Sequence, residues 1–296
     1  MSRLRARMLP DGRRLHLQDG PIDLVIRADG APAAVAAAGA AAIAALDGLL
    51  DGLCAEIAAL RAPPGAAHPA GPVARRMAGA VAPFAAETFI TPMAAVAGAV
   101  ADAVLDAMLR AAPLDRAFVN NGGDIALHCG PGASLSIGLV DRPDRPSLFG
   151  RTAVHHRDGI GGIATSGWRG RSFSRGIADS VTVLARTGAE ADAAATVVAN
   201  AVDLPGHPAV RRAPADSLNP DSDLGPRLVT RDVGPLAPAE VAAALAAGVA
   251  RADELVARGL IVGAALQLQG MVDTAGRPGI FAPPLPAIRP EVAHHA

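Results

Sequence analysis

Residues 119–130 have the sequence VNNGGDIALHCG, and this stretch decides how the rest of the chain is interpreted. It follows a strand-like run, RAFVN at 116–120, and two glycines after a strand let the backbone approach a ligand closely. The asparagine pair supplies amide donors and acceptors, and Asp124 adds one carboxylate. The pattern is typical of a nucleotide- or sugar-binding turn, while an ordinary hairpin turn with Asn-Gly chemistry remains the alternative.

The amino-acid composition excludes several functions and catalytic mechanisms for this chain. The chain has 296 residues, 51% hydrophobic and 19% charged, with a formal net charge of −1, which predicts a globular protein and argues against a nucleic-acid partner. All 27 basic residues are arginines, and there is no tyrosine. Schiff-base catalysis, a phosphate-loop lysine and a phenolic general acid are therefore excluded.

The cysteines and the apolar segments predict a cytoplasmic location. Cys54 and Cys129 lack the spacing of a metal site or of a disulfide framework, so we expect a reducing compartment. The first residues form no apolar stretch of signal-peptide length. The alanine-rich run at 31–46 falls short of a membrane span of about 20 residues and is predicted to be a buried helix of a soluble protein.

Periodicity predicts an α+β protein with mixed sheet and helix layers rather than a doubly wound sheet. Strands are expected at 22–28, 116–120, 134–140, 180–185 and 260–268, and helices at 33–61, 93–111, 189–203 and 238–258. Irregular structure is expected at 62–72, 141–147 and 205–227. The last of these is expected to be a lid or a packed irregular segment. The arginine-rich start of the chain is expected to be a solvated segment. We expect one domain over 1–275 and a mobile proline-rich tail over 276–296.

A second motif occupies residues 159–179, GIGGIATSGWRGRSFSRGIAD. Its hydroxyls, its guanidinium groups and its glycines, which allow backbone amides to face an anion, suit a diphosphate. A glycine-rich surface loop with solvated arginines is the alternative. Trp168 is the only indole in the chain, and it could stack on a planar ring or anchor the loop in the core.

Two helical segments could complete a site. Asp192 and Thr196 lie four residues apart on one predicted helix face, and a carboxylate with a hydroxyl can hold Mg²⁺ that keeps its waters. The segment 88–108 presents small residues on a helix face, which favours tight helix packing over a flat cofactor lying there. Such faces would also suit a homodimer.

The ordered set of motifs resembles the ApbE superfamily of FAD-dependent protein FMN transferases. More closely, GPIDLVIRA, TPMAAVAGAVAD, VNNGGDIAL, ATSGWRGRSFS, GIADSVTVLA, ADAAAT and DSDLG resemble the UPF0280 branch of that superfamily, from about residue 3 to residue 270. The resemblance implies a T-fold-like α+β structure that holds FAD or FMN in a cleft, with Mg²⁺ at the diphosphate.

The resemblance also implies roles for individual residues. Asp192 and Thr196 match the metal-binding pair, and the helix Gly and Asp of the family match Gly98 and Asp102. We expect catalytic roles for Asp124, Asp179 and His128. We expect the flavin to be bound by Asn120, Asn121, Gly122, Gly123, Thr165, Ser166, Gly167, Trp168, Arg169 and Arg171.

Two departures from the family pattern leave the reaction open. The family's Lys-Gly pair is Ala97 and Gly98 here, and its His-x-x-Asp-Pro segment is Gly176 to Ser180. His128, His155 or His156 could replace the missing histidine as a proton-transfer group. The sequence therefore predicts an ApbE-like FMN transferase or related enzyme, with a non-catalytic flavin carrier or a metal-independent enzyme for a small acid as alternatives.

Overall fold

A computed structural model describes residues 3–140 and 148–283. Its strands are β1 (Arg5–Met8), β2 (Arg14–Asp19), β3 (Ile22–Asp29), β4 (Arg116–Asn121), β5 (Asp124–Cys129), β6 (Ser134–Val140), β7 (Leu148–His155), β8 (Gly162–Ser166), β9 (Ser180–Ala185), β10 (Val210–Pro214), β11 (Leu228–Val233), β12 (Gly263–Leu268) and β13 (Met271–Gly276). Its helices are α1 (Pro32–Leu46), α2 (Leu49–Ala55), α3 (Ile57–Leu60), α4 (Pro72–Val81), α5 (Val96–Ala111), α6 (Gly188–Ala201), α7 (Ala215–Leu218) and α8 (Pro238–Ala257).

Nine strands form one sheet in the order β1-β2-β3-β4-β5-β8-β9-β12-β13, and every neighbouring pair is antiparallel. The pairs β6-β7 and β10-β11 form two small separate sheets. The α+β fold class predicted from the sequence is confirmed.

The long helices form a layer over one face of this sheet. The helix α5 packs on β4 and β5, α6 on β8 and β9, and α8 on β12 and β13. The alanine-rich composition explains how closely they pack, since a Cβ added at Gly98 of α5 would lie only 2.1 Å from the carbonyl oxygen of Gly188 in α6. Backbone therefore contacts backbone between these two helices.

The opposite face of the central strands is covered by the β6-β7 hairpin. Side chains alternate along a strand, so Leu127 and Cys129 of β5 face the hairpin and pack in a cluster with Val154, whereas Asp124 and Ala126 face the helices. The segment after β13 contributes Ile280 to the same cluster, and Ala282 pairs with Arg151 of β7. The first residues of the predicted tail thus pack on the body, and residues 284–296 lie outside the described residues.

Several predicted boundaries hold and others do not. The strands expected at 134–140 and 180–185 match β6 and β9, but the helix expected over 33–61 is wrong as one element. It divides into α1, α2 and α3: Gly48, in a left-handed conformation with φ of 75°, separates α1 from α2, and Glu56, with a non-helical φ of −107°, separates α2 from α3. The prediction that the run at 31–46 is buried is also wrong, since α1 buries only Ala38, Ala42 and Leu46 along one stripe.

Other corrections concern segments expected to lack regular structure. The arginine-rich start forms the edge strand β1, all four residues of which are exposed, and leads into β2, the next strand of the sheet. The segment 205–227 contains β10 and α7 and is packed in part by a pairing of β10 with β11. The segment 141–147 lies outside the described residues.

Within residues 3–140 and 148–283, two helical stretches are long and apolar enough to cross a membrane by length and composition alone. They are Pro32–Ala55, which is 17% buried over its most apolar window, and Pro92–Ala111, which is 56% buried. The second is a core helix of the layer described above, and mean composition by itself does not distinguish such a helix from a span.

Candidate functional site

The predicted binding stretches meet at one end of the large sheet. The β4-β5 turn closes between Asn121 and Asp124, and β8 leaves the same end at Ser166, where it pairs with Val181 of β9. The neighbouring strands are antiparallel, so the turn and the long β8-β9 loop emerge side by side. Strand order thus brings together segments separated by about forty residues in the sequence.

The N-terminal end of α5 lies against the turn. The Asn121 side-chain amide donates to the carbonyl oxygen of Ala97 at 3.1 Å, and the Gly98 N–H donates to Asp192 Oδ2 at 3.0 Å. Because Asp192 belongs to α6, these two hydrogen bonds join the turn, α5 and α6. With the β8-β9 loop beside the turn, all four predicted motifs therefore share one site.

Two carboxylates in this site oppose one another electrostatically. Asp124 Oδ1 accepts a hydrogen bond from the Thr165 N–H at 3.2 Å, yet removal from water raises the pKa of Asp124 to about 7. Burial raises the pKa of Asp192 well above its usual range, and the charge of Asp124 raises it further. A partly buried pair of carboxylates that repel one another favours either a bound proton or a nearby cation.

Arg171 supplies positive charge at the turn. A Cβ added at Gly122, whose φ is +67°, would lie 2.8 Å from one terminal nitrogen of Arg171, so the guanidinium group lies directly over the turn. Its charge lowers the pKa of Asp124 and so partly offsets the effect of burial. Asn120 closes the turn from within, because its side-chain oxygen accepts from the Gly123 N–H at 2.8 Å.

Asp179 holds the base of the β8-β9 loop. Its Oδ1 accepts from the Trp168 indole at 3.1 Å and from Arg169 Nε at 2.6 Å, and its Oδ2 accepts from the Gln269 N–H at 2.6 Å. The Arg169 guanidinium also lies 4.3 Å from the centroid of the Trp168 ring. Trp168 and Arg169 thus both donate hydrogen bonds to the buried carboxylate of Asp179, whereas Arg171 does not.

The Thr-Ser-Gly turn divides between the two faces of the sheet. Thr165 points away from the helices, as Ile163 does, and its hydroxyl lies 2.8 Å from that of Thr182. Ser166 has the opposite orientation, toward the helices. Gly167 is needed for close packing, since a Cβ there would lie 2.4 Å from the carbonyl oxygen of Asp179.

The structure separates His128 from the other predicted catalytic side chains. It lies four residues along β5 from Asp124, which corresponds to about 13 Å. His156 is near this far end, where its Nδ1 lies 2.7 Å from the carbonyl oxygen of Cys129. His128 and His156 are therefore not positioned beside Asp124 or Asp192.

The donor set fits a magnesium ion that retains much of its water. Among residues 3–140 and 148–283, no three His, Cys, Asp or Glu side chains are grouped as a metal site. Mg²⁺ needs fewer protein ligands than that, because it commonly keeps several waters and binds one or two carboxylates. Asp192 and Thr196 share one face of α6, and the opposed charge of Asp124 is nearby.

The family-matched Gly98 and Asp102 join the two central helices. Asp102 Oδ1 and Oδ2 accept from the first two N–H groups of α6, those of Gly188 at 2.8 Å and Ala189 at 2.9 Å. A carboxylate at a helix N-terminus satisfies free donors and complements the helix dipole. These residues place Asp192 relative to the turn.

The Thr-Pro turn before α5 and the DSDLG segment are joined by a hydrogen bond that no sequence pattern indicates. The buried hydroxyl of Thr91, in the Thr-Pro turn before α5, donates to a carboxylate oxygen of Asp223 in the DSDLG segment. No local pattern predicts a contact between residues 132 positions apart. Only the shared resemblance indicated that both segments matter.

Fold and site together define an α+β protein with an antiparallel sheet. At one end of this sheet, the carboxylates of Asp124 and Asp192 repel one another, and Arg171 lies beside them. The chain belongs to the family described as "AbpE bacteria", whose model matches residues 6–274. This match confirms the ApbE-like resemblance found in the sequence.

Similar proteins agree with this assignment. A UPF0280 protein of Methanothrix thermoacetophila is 40% identical over 45% of this chain and 53% of its own length. A UPF0280 protein of Methanopyrus kandleri is 37% identical over 43% of this chain and 48% of its own length. The chain thus spans about half the length of the curated relatives that it matches.

A solved structure is also similar, namely the apo flavinyl transferase ApbE of Pseudomonas stutzeri. It has 14% sequence identity and a TM-score of 0.35, and the match covers 63% of this chain and 50% of that one.

Proposed function

We propose that this protein binds a flavin nucleotide at the end of the sheet formed by the β4-β5 turn, the β8-β9 loop and α6. The observation that carries the proposal is the meeting of Asn121, Gly98 and Asp192 through two hydrogen bonds. Family membership over residues 6–274 supplies the ligand class, since FAD and FMN are the ligands that the ApbE resemblance implies.

In this proposal Asp192 and Thr196 hold Mg²⁺, and Arg171 neutralises phosphate. The ion, when bound, supplies positive charge for a diphosphate and a Lewis acid for phosphoryl-type transfer. Arg171 is favoured over Arg169 because the Arg169 guanidinium is already paired with Asp179 at 2.6 Å. Asn120 and Asn121 shape the turn on which the ligand would lie.

Asp124 is the residue best suited to move a proton. With a pKa of about 7 it can be present in either protonation state near neutral pH, as a general base for a hydroxyl acceptor requires. Asp179 accepts three hydrogen bonds, so its contacts favour a positioning role for it. His128 is left without a role at the site.

A non-catalytic flavin carrier is the second candidate. The absence of lysine removes the family's Lys-Gly cation, and Gly176 stands where the family has its histidine. Transfer of FMN from FAD to a protein hydroxyl would release AMP, whereas a carrier would bind flavin without releasing AMP. The metal-independent enzyme, the homodimer and the cytoplasmic location remain predictions.

The test is flavin binding followed by turnover. FAD with Mg²⁺ should raise the melting temperature of the protein, because a ligand of the native state stabilises it. Incubation with FAD and a threonine-containing target peptide should then give AMP and flavinylated peptide if the protein is a transferase. Binding without AMP favours the carrier, and no flavin binding contradicts the proposal.

A further inference from the structure

A cavity lies beside α6, beyond the predicted flavin site. It has a volume of about 560 Å³, within the range of small-molecule pockets. Asn200 on α6 lines it, eight residues after Asp192, which places it about 12 Å along the helix axis. None of the residues assigned to the flavin site lines this cavity.

The charged lining of the cavity is predominantly positive. Four guanidinium groups and two carboxylates face it, from Arg175, Arg212, Arg227, Arg251, Glu87 and Asp203. The carboxylates are engaged within the wall, since Asp203 pairs with Arg212 and Glu87 with Arg251. The four arginines that line the cavity therefore carry more positive charge than its two carboxylates neutralise.

Individual guanidinium groups retain unused donors. The Nε of Arg212 is buried without a hydrogen-bond partner among the described residues, although its other end binds Asp203. The side chain of Arg175 has no hydrogen bond or ion pair with any described residue, while its backbone N–H is fixed by Asn200 at 2.8 Å. An unsatisfied buried donor is costly, so a ligand that accepts hydrogen bonds would be stabilised here.

Arg227 is positioned rather than neutralised. Its guanidinium group lies 3.3 Å from the centroid of the Phe89 ring and donates to the carbonyl oxygen of Leu224 at 3.2 Å. Stacking of this kind orients the planar group while leaving its charge uncompensated. Forked donors on several sides of one cavity match the geometry of phosphate and carboxylate oxygens.

We propose that this arginine cavity binds the oxyanion group, phosphate or carboxylate, of a small molecule. The proposal does not depend on flavin binding, because the cavity is built from residues outside the flavin site. The oxyanion could belong to the nucleotide itself, reaching along α6, or to a second acidic molecule bound beside it. Both sources share the chemistry that the arginines recognise.

The test measures binding of inorganic pyrophosphate, citrate and FMN by calorimetry at constant ionic strength, using the full chain. Arg175→Gln should weaken at least one of these probes by about tenfold or more, the loss expected for a charge-assisted hydrogen bond. The fold should survive, because the Arg175 side chain has no partner in the described parts of the chain. Arg157→Gln is the matched control, since Arg157 is exposed after β7 and does not line the cavity.

The three probes separate the two sources. Loss of FMN and pyrophosphate affinity in Arg175→Gln would identify the nucleotide phosphate, and loss of citrate affinity alone would identify a second acid. The proposal is overturned if Arg175→Gln and the parent protein bind all three probes alike, or if the parent protein binds none. Pyrophosphate or citrate binding without flavin binding would support this cavity while contradicting the proposed flavin function.

Discussion

The carboxylate of Asp192 accepts a hydrogen bond from the backbone N–H of Gly98 at 3.0 Å, across 94 positions of sequence. This bond, together with a backbone hydrogen bond from Ala97, holds the carboxylate of Asp192 against the start of α5. Because Gly98 lies in the first turn of α5 and Asp192 lies on α6, the candidate metal ligand is positioned by the packing of the two helices.

Asp192→Asn should abolish the stabilisation that Mg²⁺ gives in the presence of FAD. The amide keeps the shape of the side chain but removes the charge that a hard cation requires. Thermal unfolding with and without Mg²⁺ measures the effect. Asp253→Asn on the exposed face of α8 is the control, and an unchanged Mg²⁺ response in Asp192→Asn would refute the metal assignment.

The stability of the metal-free protein should fall as pH rises from about 4 to about 7 through the titration of Asp124. Its pKa is about 7 in the folded protein and 3.8 for the ordinary group, so in this window the folded state holds a proton that the unfolded chain has lost. The slope from one such group is at most about 1.4 kcal/mol per pH unit. Urea unfolding of the parent protein and of Asp124→Asn should show a smaller slope in the variant, and equal slopes would contradict the raised pKa.

Magnesium affinity should increase with pH over the same range. A cation binds the ionised carboxylates, so its binding must displace the protons that burial retains on Asp124 and Asp192. Calorimetry in buffers of different ionisation enthalpy counts these protons. Mg²⁺ affinity that does not vary between pH 5 and pH 7 would show that the ion binds elsewhere.

Gly98→Ala should destabilise the fold by about 1–3 kcal/mol or more, through overpacking. The new Cβ would lie 2.1 Å from the carbonyl oxygen of Gly188, and backbone cannot move aside as a side chain can. Gly79→Ala in α4 is the matched control, because no atom lies within 4 Å of its added Cβ. That change should leave stability equal or raise it by up to about 1 kcal/mol.

Arg169→Gln and Arg171→Gln should have different consequences. Arg169 is paired with the buried Asp179, so its loss should destabilise the β8-β9 loop and shift the fluorescence of Trp168, the only tryptophan. Arg171 is exposed over the turn, so its loss should weaken FAD binding while leaving the melting temperature of the free protein unchanged. Equal effects of the two substitutions on FAD affinity would contradict the division of roles.

The sequence was most informative where one element is strongly patterned. The alternation in SLSIGLV predicted β6 at its observed bounds, and the spacing of Asp192 and Thr196 placed both on one face of α6. The resemblance predicted which segments would share a site. The residues alone, without the resemblance, do not indicate which of these segments are in contact.

Local patterns failed where tertiary contacts decide the structure. The segment at 3–14 is rich in arginine, and it joins the sheet only because β1 pairs with β2 and β2 pairs with β3. Asp179 accepts hydrogen bonds from Trp168 and Arg169 only because the β8-β9 loop brings these residues together. His128 lies far from Asp124 because β5 extends over six residues. The arginine cavity is lined by residues from six separate segments of the chain, so no single motif could have indicated it.

The backbone contact between Gly98 and Gly188 has a practical consequence for redesign. The spacing of α5 and α6 is already at its minimum, so any side chain at either position would move the turn and Asp192 apart. Libraries intended to change ligand preference should therefore leave this junction untouched and vary exposed arginines such as Arg171, where substitutions can alter recognition without shifting the scaffold.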